Sequence, residues 1–174
     1  MSFFSRLFGR FRKDDRPVAL YRAIVQHARL PVFYLQGTVP DTVEGRFEMV
    51  STVTALVLLR LEADGEAMGE AAARLTELFV DDMDGQLREM GIGDIVVGKH
   101  IGKMMALLGG RISAVRDAID GKEPLRDVLV RNIWRGETPD GDALSYTEDQ
   151  LLALHRALSA MESAALIRGE WVTL

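Results

Sequence analysis

The residues best suited to chemistry in this chain are Gly93-Asp94-Ile95-Val96-Val97-Gly98-Lys99-His100, three histidines and three closely spaced aspartates. The first segment is one residue away from a phosphate-binding loop of the GxxxxGK[ST] type, in which backbone N–H groups and a lysine cradle phosphates and a hydroxyl holds magnesium. Here His100 replaces the hydroxyl, and Asp94 with Ile95, Val96 and Val97 would fill the cradle with charge and bulk. The preceding segment has a helical pattern where that loop needs a strand. A turn between two helices, with Lys99 and Lys103 toward solvent, is the simpler expectation.

Metal chemistry has little to work with. His27, His100 and His155 fall on three different predicted helices, without a ligand partner three or four positions away. Asp81, Asp82 and Asp84 cluster near Glu77 and Arg88, but a bundle-type metal site needs matching Glu and His on facing helices, so a solvated acidic face is expected. There is no cysteine and no G-x-S-x-G, which removes thiol chemistry, disulfides and the common serine hydrolase arrangement. The residues alone describe a non-enzyme with no cofactor and no metal, whose work is binding.

The elements that must position any binding residue are helices. With 174 residues, 48% of them hydrophobic and 27% charged, the chain can bury one core. The net charge is -5, which gives no electrostatic reason to seek nucleic acid. The charge is uneven. Residues 1–13 carry four basic side chains and no acid, leaving 17 basic against 26 acidic groups in the remainder. In that arm Phe3, Phe4, Leu7, Phe8 and Phe11 fall within an arc of roughly 140° on a helix, with Arg6, Arg10, Arg12 and Lys13 outside it. Aromatic rings on one side and cations on the other suit an anionic membrane surface. Residues 1–13 are therefore expected to be a short amphipathic membrane-surface arm, and 14–174 the folded domain. Arg6 and Arg10 interrupt any secretory apolar stretch, and Asp14-Asp15 follow too soon for a mitochondrial presequence. The longest charge-free runs, Leu30–Pro40 and Met49–Leu59, are eleven residues each, short of the ~18 needed to span a bilayer.

Beyond Pro17 the periodicity is helical. One stripe holds Leu20, Ile24, Val25 and Ala28 and ends before Pro31. Asp41 with Glu44 reads as a capping box for a helix reaching about Glu62, apolar nearly all round and expected at the centre of the core. Ala71 to Met90 and Ile101 to Ile119 form two long stripes joined by a glycine-containing turn, an expected antiparallel hairpin with Asp94 as a cap. A shorter helix follows Pro124 and ends near Arg135. Gly136–Tyr146 reads as a loop, and Thr147 with Gln150 as a second capping box, opening a last helix that runs through Leu151, Leu154, Leu158, Met161 and Ala165. Trp171 is expected in a tail folded back on the body. The expected fold is all-α, a single-domain bundle of about six helices preceded by the short amphipathic arm.

The stretch from Leu20-Tyr21-Arg22 through Arg29-Leu30-Pro31-Val32-Phe33-Tyr34, with Val39-Pro40-Asp41-Thr42 and Gly45-Arg46-Phe47-Glu48-Met49, resembles the ubiquinol-cytochrome c chaperone family. That family includes alphaproteobacterial proteins and the mitochondrial chaperones that assemble cytochrome b. The likeness continues through Leu58-Leu59-Arg60-Leu61, Phe79-Val80-Asp81-Asp82-Met83-Asp84 and Leu87-Arg88-Glu89-Met90-Gly91 to Gly98-Lys99, over about residues 20–110. It departs where many relatives carry a His in the central helix and this chain has Val53. The resemblance implies a non-catalytic, all-α assembly chaperone that binds newly made cytochrome b and promotes assembly of the ubiquinol-cytochrome c reductase complex of the respiratory chain. Together with the arm it places the protein peripherally on the cytoplasmic side of the bacterial inner membrane, and it leaves room for a small partner subunit. The client contacts expected on this reading are Phe33, Tyr34, Pro40, Asp41, Phe47, Asp82, Arg88 and Met90. Aromatic and Met side chains adapt to apolar helices, and Asp82 and Arg88 would meet client charges or pair within the bundle. The simpler reading is a cap for Asp41 and core burial for Phe47. A second reading is a peripheral helical protein holding a lipid or quinone in an apolar pocket.

Overall fold

The computed structural model describes residues 16–89 and 97–172, and within them the apolar stretch after Phe47 forms the axis on which the other helices pack. The elements are α1 (Arg16–Ala28), α2 (Pro31–Leu35), α3 (Val43–Ala63), α4 (Gly69–Glu89), α5 (Val97–Ile119), α6 (Leu125–Asn132), α7 (Gly141–Ser159) and α8 (Ser163–Ile167). A 3-10 turn at Gly65–Met68 joins α3 to α4. The described residues contain no strand, so the fold is all-α. Six of the eight helices are those expected from periodicity. The other two, α2 and α8, are only five residues long, too short to show a period.

Helix α3 is surrounded by α1, α4, α5 and α7, because a helix that is apolar around its circumference can be satisfied only by burial on every side. Ser51 and Thr52 do not break it. Their hydroxyls donate to the Phe47 and Glu48 carbonyls at 2.8 Å, which satisfies them within the helix. At its far end Arg60 donates to the Met161 carbonyl at 2.8 and 3.1 Å, tying α3 to the α7–α8 corner. No helix among the described residues is long and apolar enough to cross a membrane.

Three boundaries differ from expectation. Thr42, not Asp41, caps α3: it is extended, and its hydroxyl accepts from the Gly45 N–H at 3.1 Å. Asp41 lies one residue further out and accepts instead from Arg46 at 2.7 Å. Helix α7 starts at Gly141, capped by Asp140, so Thr147 is a buried mid-helix residue and not a cap. Ala143 and Leu144 are buried one turn earlier and extend the apolar stripe upstream. The last stripe is also broken, because α7 ends at Ser159 and Met161 and Ala165 belong to the α8 region. Asp94 and the junction between α4 and α5 lie outside the described residues.

Candidate functional site

Three consecutive segments, the end of α1, α2 and the first turns of α3, meet the last turns of α4 at one end of the bundle. The Tyr21 hydroxyl, buried on α1, donates to Asp82 Oδ2 on α4 at 2.7 Å, and Gln86 Nε2 donates to the same oxygen at 3.3 Å. Burial first, and then the Asp82 carboxylate, push the Tyr21 phenol well above its ordinary range, so it stays protonated and remains a donor. Asp82, Asp81, Gly85, Gln86 and Arg29 line an open recess of about 530 Å³ beside this bond.

Arg29 leads directly into the α2 corner. Phe33 points inward and is 1% exposed. Pro31 and Leu35, two residues either side of it, lie about 160° around the helix from it and are both exposed. Leu35 at 79%, Val43 at 49% and Leu30 at 40% are three of the four exposed large hydrophobic side chains among the described residues. Tyr34 is half-buried and donates to the Ala28 carbonyl at 2.9 Å, which satisfies one of the open carbonyls at the end of α1. Burial raises the Tyr34 phenol, while the charges of Arg46, Asp41 and Arg29 are near enough to act on it.

The connection from α2 to α3 is firmly held. The Gly37 N–H donates to Val32 O and the Val39 N–H to Phe33 O, at 3.1 and 3.0 Å. The Trp134 indole donates to Thr38 O at 3.2 Å, holding Thr38 at a positive φ of 51°. At Gly45 the backbone passes so close to Pro40 that an added Cβ would sit 2.0 Å from the Pro40 carbonyl oxygen.

Of the residues singled out by sequence, Tyr34, Pro40, Asp41, Phe47 and Asp82 come together at this pole. Phe47 is half-buried, its ring 5.9 Å from that of Phe79. Phe33 also lies here, but as buried support and not as an exposed aromatic, because a five-residue helix has one inward side chain and Phe33 takes that position. The Arg88 side chain and Met90 lie outside the described residues, as do Phe3, Phe4, Arg6, Leu7, Phe8, Arg10, Phe11, Arg12 and Lys13. So does the first half of the phosphate-loop-like segment. Its second half, Val97 to His100, is the first turn of α5. Among the described residues no group of three or more His, Asp or Glu side chains is placed to hold a metal ion.

Tyr21, Arg29, Leu30, Leu35, Val43 and Gln86 are not among the contact residues expected from the sequence. For Leu35 there was a signal: it ends a segment confined between Pro31 and Gly37, too short to bury both of its faces. For Tyr21 there was none, since its partner is 61 positions away.

The family described as ubiquinol-cytochrome C chaperone matches residues 36–173. Among solved structures, one titled as the crystal structure of the Cbp3 homolog from Brucella abortus superimposes with a TM-score of 0.80. It is 33% identical, and the likeness covers 90% of this chain and 87% of that one. No curated protein matches by sequence.

Proposed function

The chain belongs to the ubiquinol-cytochrome c chaperone family, and we propose that it binds newly made cytochrome b at the inner membrane surface and promotes assembly of the ubiquinol-cytochrome c reductase complex. The observation that carries this reading is the match over residues 36–173, which includes the α3 and α4 sides of the pole but not α1 or α2. The work is binding, without catalysis or a cofactor. Tyr34, Pro40, Asp41, Phe47, Asp82, Arg88 and Met90 contact the client, and Phe33 anchors α2 in the core. The basic aromatic arm of residues 1–13 contacts anionic lipid and keeps the protein peripheral on the cytoplasmic side, where the client is met.

Affinity purification of the tagged full-length protein from membranes of the source cell, with mass spectrometry of what accompanies it, tests this directly. Cytochrome b is expected among the enriched proteins, and its yield is expected to fall when residues 2–13 are deleted. Absence of cytochrome b from both samples would overturn the client assignment.

A further inference from the structure

Two features of the pole share an edge: an apolar corner and an acidic recess. Leu35, Pro31 and Leu30 of the corner are exposed, and so is Val43, the first residue of α3. Arg29, the residue before Leu30, lines the recess in which Asp81 and Asp82 outnumber it. Apolar side chains left in water at one place on a surface mark contact with another apolar surface. The neighbouring carboxylates specify which kind. Asp82 is not a loose surface acid, because two donors, Tyr21 and Gln86, fix one of its oxygens.

We infer that the pole receives the end of an apolar helix together with the basic residues that follow it: Leu30, Leu35 and Val43 take the apolar part, and the Asp81–Asp82 recess takes a Lys or Arg side chain. This rests on the assembly-chaperone reading, in which the client is a membrane protein. Membrane-spanning helices carry an excess of Lys and Arg just beyond their cytoplasmic ends, so an apolar corner adjoining two carboxylates is complementary to that boundary. An anionic bilayer supplies the opposite charge to the one the recess would attract, which favours the protein partner over lipid at this surface.

The chain has no cysteine, so Gln36→Cys, at the exposed position next to Leu35, lets the full-length protein accept an environment-sensitive fluorophore at one known position. It is titrated with two 20-residue peptides that share an apolar Leu/Ala half and end in Lys-Lys-Arg or in Glu-Glu-Glu. Vesicles of phosphatidylglycerol form a third arm. The Lys-Lys-Arg peptide is expected to bind on the order of tenfold more tightly than the Glu-Glu-Glu peptide at low salt. That preference should largely vanish near 1 M salt, where the Debye length is about 3 Å. It should also shrink in the Asp81→Asn variant, a change at an exposed position, and further in Asp81→Asn with Asp82→Asn. Equal binding of both peptides, no response to either, or a response to vesicles alone would overturn the inference. Co-purification separates it from the reading beneath it. If Leu35→Glu and Asp81→Asn leave cytochrome b recovery unchanged, this surface assignment fails while the chaperone assignment stands. If cytochrome b is absent but the peptide preference holds, the reverse is true.

Discussion

The Tyr21 hydroxyl and the Asp82 carboxylate, 61 positions apart, meet at 2.7 Å and join α1 to α4 beside the recess. A hydrogen bond to an ionised, partly buried group contributes about 1.5 to 3 kcal/mol. Tyr21→Phe keeps the packing and removes only the donor, so it should lower stability by roughly that amount, read from urea denaturation. Asp82→Asn retains an acceptor for the hydroxyl and should cost less. The reverse ranking would show that the bond does not hold the two helices together.

Phe33 and Leu35 are neighbours on one short helix with opposite fates. Phe33→Ala should cost about 3 to 5 kcal/mol through the cavity it leaves. Leu35→Ser should change stability by less than about 0.5 kcal/mol, since nothing packs on an exposed side chain away from caps and pairs. Thermal unfolding of the two variants checks both values. Only the second variant is suited to functional tests of the pole.

Glu48 on α3 and Arg111 on α5 form a nearly buried ion pair. Burial raises the Glu48 carboxyl, opposed by the Arg111 charge, and it lowers the Arg111 guanidinium, opposed by Glu48. Removing one partner strands the other charge. Glu48→Leu alone should therefore destabilise by about 3 to 5 kcal/mol, whereas Glu48→Leu with Arg111→Met should recover much of the loss. A double-mutant cycle in urea measures the coupling.

His27 is buried on α1, where its Nδ1 accepts from the Trp171 indole at 3.3 Å and its ring packs against Phe33 and Trp171. Burial lowers its pKa below the ordinary value of 6.5. Above that value both folded and unfolded chains hold it neutral. As pH falls below about 6.5 the unfolded chain binds a proton that the folded one refuses, so stability is lost from there down to the depressed folded pKa. Urea midpoints should fall between pH 7.5 and 5.5, and fall less in His27→Gln. An equal fall in both proteins would show that other groups carry the effect.

Gly45→Ala should destabilise despite alanine's better helix propensity, which favours it by about 1 kcal/mol. The new Cβ would meet the Pro40 carbonyl oxygen at 2.0 Å, so the first turn of α3 must move away from the corner. A lower melting temperature is expected, and an unchanged or higher one would mean that the corner yields freely.

Much of the fold was legible because helical periodicity is a local property. The Met49–Leu61 stretch announces a buried axis by being apolar on every face, and the Leu20–Ala28 and Leu151–Leu158 stripes announce helices with one inward side. Local rules failed where two adjacent residues competed for one role. Asp41 and Thr42 are both good caps, and the choice went to Thr42 while Asp41 paired with Arg46. Thr147 looked like a cap by type, but its hydroxyl lies against Gly37, so close that a Cβ there would be 2.3 Å from it. The pole depended on tertiary structure altogether. That Phe33 turns inward and Leu35 outward, and that Tyr21 reaches Asp82, follow from how α1, α2, α3 and α4 pack together. No spacing within one helix encodes which side chain on another helix it will face.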